Sequence, residues 1–255
     1  MKIDIHPLTI ILALILFLCG RFNYFFIIAS IIFIHDLGHL ITMKIFKISV
    51  SKLIILPFGS IIESNIKLSE KTIIKFLISI SGVIFQIILF IIANILFKYN
   101  LINTISLDIF NKYNKLIIIF NLLPIIPLDG SKILESLLES IIPFKIVIYI
   151  KCIISIIIIV ILTFCLKLSL DLINILFISL FKTYEELLNI NIIYNKFLLE
   201  RYLYKPNFKK VKYIKSIRQI YKNRINFINN SNEIKVLEKN FQIKKVKWTF
   251  FGYIY

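Results

Sequence analysis

The sequence predicts an all-α polytopic membrane protein with about six transmembrane helices, a small membrane-surface β-hairpin and a short cytosolic C-terminal region. Three observations carry that prediction. The 255-residue chain is 58% hydrophobic, more than the wettable surface of a soluble domain permits. Its apolar residues are gathered into long stretches, as membrane spans require. Its cations collect outside those stretches: 16 of the 31 Lys and Arg, but only 5 of the 14 Asp and Glu, fall in Phe181–Tyr255.

The first apolar run, Leu8 to Cys19, has no small-residue cleavage pattern after it and reads as a retained helix rather than a secretory signal. Gly20-Arg21-Phe22-Asn23 joins it to the second run. The six predicted spans cover about 7–20, 23–43, 73–97, 115–139, 144–166 and 168–190. Pro124 and Pro127 interrupt the fourth. The backbone groups freed by a proline must face protein or a polar cavity at membrane depth, so the break is itself a functional pointer. Between the second and third spans, Ile48 to Ile54 alternates apolar and polar residues, and Leu56-Pro57-Phe58-Gly59-Ser60 supplies a turn. That stretch predicts the hairpin.

Lys44, Lys47, Lys52, Lys67 and Lys71 crowd the hairpin loop, whereas Arg21 stands alone between the first two spans. The positive-inside rule then places hairpin, N-terminus and C-terminus in the cytosol. The formal net charge of +17 points to anionic membrane lipid as a partner and disfavours nucleic acid. Cys19, Cys152 and Cys165 lie in apolar runs without metal-like spacing and read as small hydrophobes. Two domains are expected, a membrane domain over 1–190 and a basic cytosolic tail over 191–255. The tail shows no nucleotide-binding glycine motif and no repeat.

The chain has three histidines, and two sit four residues apart in the second span: His35-Asp36-Leu37-Gly38-His39. Residues i and i+4 share a helical face, so both imidazoles can approach one ion. In the pattern H-E-x-x-H, two neutral nitrogens hold a metal and the intervening carboxylate takes the proton of the attacking water. Here that carboxylate is Asp36. A pair of membrane histidines hydrogen-bonded to neighbouring helices is the structural alternative. A third ligand must come from another span, and Asp129, in Asn121-Leu122-Leu123-Pro124-Ile125-Ile126-Pro127-Leu128-Asp129-Gly130, is the candidate. Alone, Asp129-Gly130 fits an interfacial turn; beside the histidine pair it fits a ligand.

These two motifs resemble the paired signatures of the site-2 intramembrane metalloproteases, whose first motif carries Glu at its second position and whose second is an Asn-Pro-Asp-Gly cluster. Asn121, Pro124, Pro127, Leu128, Asp129 and Gly130 match the second. The order of parts is similar too, with a Pro57-Phe58-Gly59 hairpin between the motifs. The resemblance covers about residues 7–190 and is closest to the sporulation protein IV FB branch, in which a cytosolic CBS domain follows the membrane part. It implies Zn2+ held by His35, His39 and Asp129, acid/base work by Asp36, and Asn121 orienting substrate. It also implies a metalloendopeptidase of the bacterial cell membrane that cleaves a membrane-associated protein, in that branch a sigma-factor precursor for sporulation. Regulatory membrane proteins are the further implied partners, and the tail takes the place of a reduced CBS-like region.

Two positions depart from the family pattern. Asp36 is one methylene shorter than Glu, leaving its carboxylate about 1.5 Å short on a fixed backbone, while a general base needs hydrogen-bond reach. Ser81-Gly82-Val83 lacks the proline that often follows this glycine, and reads as part of a substrate groove or as small-residue helix packing. The alternative function is therefore a catalytically impaired relative that binds a membrane partner through the same pocket. No inverted repeat relates the two halves, which disfavours a transporter.

Overall fold

The computed structural model describes residues 2–20, 22–56, 59–165, 170–205, 208–228 and 231–248. They form two compact units. The first lies within Met1–Ile66, Ile74–Leu123 and Leu128–Ile133, the second within Lys67–Ile73, Pro124–Pro127 and Leu134–Tyr255.

The first unit opens with β1 (Lys2–Ile5), which runs into α1 (Pro7–Leu18). Pro7 starts the helix where no N–H is needed, and the His6 ring accepts the Leu8 N–H at 3.3 Å. α2 (Phe22–Ile45) ends where Lys47 takes a left-handed φ of 57° and the Ile48 N–H turns back to the Met43 carbonyl. β2 (Val50–Leu56) and β3 (Gly59–Ser64) form the expected hairpin, with Leu53 opposite Ile62. Pro57 and Phe58 of its turn lie outside the described residues. β1 adds to β2 in parallel, Ile3 opposite Leu53 and Ile5 opposite Ile55. Sequence reasoning does not anticipate this third strand, because four residues ahead of a helix are too short an alternation to register.

α3 (Thr72–Lys98) shows why a bilayer suits these helices. Ile84, Ile88, Ile91 and Ile95 point outward and are about half exposed, whereas Gln86 and Ala93 are buried. Polar and small residues inside with isoleucine outside is the arrangement lipid favours. α4 (Thr104–Leu122) is capped by Asn103, whose side chain accepts the Ser106 N–H at 2.8 Å. The predicted fourth span, 115–139, is two helices: α4 stops at Leu122 and α5 (Asp129–Glu139) starts afresh. Pro124 and Pro127 have no N–H to continue the ladder.

α2 from Asn23, α3 and α6 (Phe144–Cys165) are long and apolar enough to cross a membrane. The other three expected spans have different characters. α1 has 12 residues, about 18 Å of helix against a hydrocarbon core of about 30 Å. α4 carries Asp108, Lys112 and Lys115, and α7 (Leu170–Tyr204) carries Lys182, Glu185 and Glu186 and runs on past residue 190.

In the second unit α6 and α7 pack around Phe144 and Phe197, whose rings are stacked at 4.1 Å. A small sheet follows: β4 (Val211–Ile214) is parallel to β5 (Ile225–Ile228), which is antiparallel to β6 (Ser231–Asn232). α8 (Glu233–Trp248) closes the chain's described part, and Leu237 on it is fully buried in the same core as Phe144, Phe197 and Ile228. Charges inside this unit are paired. Lys222 meets Glu139 at 2.7 Å, Arg201 meets Glu233 at 2.6 Å, and Lys151 meets both Glu135 and Glu186.

Candidate metal centre

The helical repeat of α2 turns His35 and His39 to one side, where both are buried. Asp129, the first residue of α5, is buried beside them. Its Oδ2 lies 3.0 Å from His35 Nε2 and 2.9 Å from His39 Nε2, and the two Nε2 atoms are 3.0 Å apart. The turn that delivers Asp129 depends on Gly130. A Cβ there would stand 2.3 Å from the carbonyl oxygens of both Leu122 and Leu123, a collision with backbone that no rotamer relieves.

The groups behind the imidazoles decide what the front can do. His39 Nδ1 lies 2.7 Å from the Ile78 carbonyl, which can only accept, so the nitrogen donates. His35 Nδ1 lies 3.0 Å from Gln86 Oε1 and donates likewise. Each neutral ring therefore carries its proton on Nδ1 and presents the Nε2 lone pair to the centre. Two lone pairs and a carboxylate oxygen converge on one point. They repel one another unless a cation lies among them, so the donor set fits a metal ion. Lys132, one turn along α5, holds the other carboxylate oxygen of Asp129 at 3.0 Å and leaves Oδ2 to face the histidines.

Asp36 is next to His35 in sequence and so about 100° round the helix. It is half-buried and lines a cavity of about 70 Å3 together with Ala29, Phe33, Ile55, Gly59 and Ser60. Asn121 stands half-buried in the last turn of α4 and is not one of the three clustered residues. Three residues near the histidines escape sequence reasoning as site residues: Gln86, Asn114 and Lys132. Gln86 has a visible signal, since it is an amide in the middle of an apolar span, where polar groups are costly.

No family model matches the chain. Over 219 residues it is 31% identical to Stage IV sporulation protein FB of Bacillus subtilis (strain 168), covering 79% of this chain and 72% of that protein. This chain belongs to the site-2 protease family, in its sporulation protein IV FB branch. The Site-2 Protease from Methanocaldococcus jannaschii has a similar fold, with a TM-score of 0.55 and 22% identity over 72% of this chain and 89% of that one. Membership makes the protein an intramembrane metalloprotease relative and an integral membrane protein, in keeping with its apolar helices and the His35, His39, Asp129 group.

Proposed function

We propose that this site-2 protease family member is an active zinc-dependent endopeptidase that cuts a membrane-associated protein. The convergence of His35 Nε2, His39 Nε2 and Asp129 Oδ2 within 3.0 Å carries the reading. Zinc takes such ligands at roughly 2.0–2.1 Å, which sets tetrahedral neighbours about 3.3 Å apart. The set needs to open by only a few tenths of an ångström.

When bound, zinc polarises the scissile carbonyl and makes water a stronger nucleophile at neutral pH. The side chains of the chain do the rest. Asp36 takes a proton from the attacking water and returns it to the leaving amine. Asn121 orients the substrate backbone. Lys132 holds the outer carboxylate oxygen of Asp129 and keeps Oδ2 turned towards the histidines. The substrate is a membrane-associated precursor of a sporulation sigma factor, by the chemistry of this branch, and regulatory membrane proteins and anionic lipid are its other partners. Both termini face the cytosol. The β4–β5–β6 sheet with α8 supports reading 191–255 as a reduced CBS-like region following a 1–190 protease domain.

A second reading is favoured by one residue. Asp36 is a methylene shorter than the family's Glu, which suits a relative that keeps the pocket and only binds a membrane partner. Purified in detergent, the wild type is expected to hold zinc and to cleave a membrane-tethered test peptide. Zinc without cleavage, with cleavage gained by Asp36→Glu, would establish the binding-only reading instead. A wild type without zinc, indifferent to His35→Ala, would remove both.

A further inference from the structure

His35 and His39 are held from behind by different kinds of group. The Ile78 carbonyl behind His39 belongs to the backbone of α3 and can only accept. The partner behind His35 is the primary amide of Gln86, which could offer either oxygen or nitrogen. If it offered N–H, the proton of His35 would move to Nε2 and block that nitrogen as a ligand. Something must settle which way the amide faces.

Asn114, on α4, supplies the answer. Its Nδ2 donates to the backbone carbonyl of Gln86 at 3.4 Å, which turns its Oδ1 to the Gln86 side chain. That Oδ1 accepts from Gln86 Nε2 at 3.5 Å. With its nitrogen so engaged, Gln86 presents Oε1 to His35 Nδ1 at 3.0 Å. Both contacts to Asn114 are long, but they share one sense, and reversing either amide would set like against like in a place without solvent. Gln86 is fully buried and Asn114 is 2% exposed.

We propose that Gln86 and Asn114 are a positioning pair for the metal centre: Asn114 sets the Gln86 amide, and Gln86 fixes the tautomer and ring plane of His35 so that Nε2 faces the metal. The assignment rests on the metal reading of the site for its consequence, but not for its geometry. Length matters as well as polarity. Gln86→Asn would retract the amide by about 1.5 Å, beyond hydrogen-bond reach, so it should behave like the apolar isostere.

The test uses the full-length protein in detergent with two readouts. The chain has three histidines, so selective 15N-imidazole labelling, assigned with His6→Gln and His39→Gln, reports the His35 tautomer by NMR in chelator-treated protein. Zinc affinity is measured separately by chelator competition. Wild type is expected to hold the neutral His35 ring as the single Nδ1–H form without metal. Gln86→Met and Gln86→Asn should each give mixed tautomers and lower zinc affinity about 10- to 100-fold. Gln86→Glu keeps the acceptor and, with its other oxygen protonated towards Asn114 Oδ1, should keep the Nδ1–H form and near wild-type affinity. Losses in Gln86→Met, which has a similar shape, are what a packing role alone would not give. Asn114→Leu should fall between Gln86→Met and wild type. A Gln86→Met protein with the wild-type tautomer and zinc affinity would overturn the pair. Should Gln86→Met not fold, the contrast of Gln86→Asn with Gln86→Glu decides in the same way. A fixed tautomer in a wild type that takes no zinc would uphold the pair and sink the protease reading.

Discussion

Gly82 lies so close to His35 that a Cβ on it would stand 2.5 Å from the ring's Cε1. The same methyl would fall 2.6 Å from His39 Nε2. The backbone of α3 at this point forms the floor on which both imidazoles rest, and neither ring has a flexible end to move aside. Gly82→Ala is therefore expected to displace the rings and abolish stoichiometric zinc binding while the helices still form. Zinc content and far-UV circular dichroism of the same preparation check this. Unchanged zinc content would mean that α3 can retreat at no cost.

The histidine pair and Asp129 were legible because their chemistry is confined to few residue types at fixed spacing. His35 and His39 share a helical face by period alone, and Pro124 and Pro127 flag the break that lets Asp129 leave a helical register. The floor at Gly82 was half-legible, since Ser81-Gly82 reads equally as groove or packing until the neighbouring rings are placed. β1 and Asn114 were not legible. Strand pairing between Ile3 and Leu53 joins residues fifty apart, and nothing local to Lys2–Ile5 encodes it. Asn114 sits among Asn111, Lys112, Tyr113 and Lys115, where a polar residue looks solvated, and only the tertiary packing of α4, against α2 and beside Gln86 of α3, buries it. Membrane span number was blurred for a related reason: apolar content measures what lipid tolerates, and α4 and α7 mix such residues with charges, among them the exposed Asp108, Lys112, Lys115, Lys182 and Glu185.

Removing metal should destabilise the first unit through the ligands alone. A ligand that binds only the folded state adds about 2.7 kcal/mol at a free concentration 100 times its dissociation constant. Chelation of the zinc-loaded wild type is expected to lower its thermal midpoint accordingly. His35→Ala and His39→Ala should start lower and show no further drop on chelation. The measurement is thermal unfolding in detergent at fixed free zinc. A drop in the variants equal to that of the wild type would place the stabilising metal elsewhere.

Lys222 and Glu139 form an ion pair in which both side chains are fully buried. The loop bearing Lys222 is set in advance, since Arg201 donates to the carbonyls of Lys222 and Arg224, and the Asn226 amide bonds Tyr221 in both directions. The ammonium thus has little freedom to find water. Lys222→Met alone takes the ammonium from the buried Glu139 carboxylate and should cost about 3–5 kcal/mol. Lys222→Met with Glu139→Leu removes both charges and should recover most of that loss. Urea or heat unfolding of the three variants gives the comparison, and additive losses in the double variant would contradict it.

Ser155 is the middle of a hydrogen-bond relay whose direction is forced at one end. The Thr183 hydroxyl donates to the Ser179 carbonyl at 2.8 Å, so the 3.0 Å contact between Thr183 and Ser155 needs the Ser155 proton. The Ser155 oxygen is then left to accept the Ile126 N–H, at 3.1 Å, in the segment between the two prolines. All of these groups are buried, and an N–H there has no water to turn to. Ser155→Ala leaves that N–H without an acceptor and should destabilise the protein by about 1–3 kcal/mol. Thr183→Val should cost less, because the Ser155 hydroxyl can redirect its proton to a carbonyl one turn back on α6, as serines in helices do, and still accept from Ile126. Equilibrium unfolding should therefore rank Ser155→Ala below Thr183→Val. The reverse order would mean that Thr183, rather than the Ile126 N–H, is the group that cannot be left unpaired.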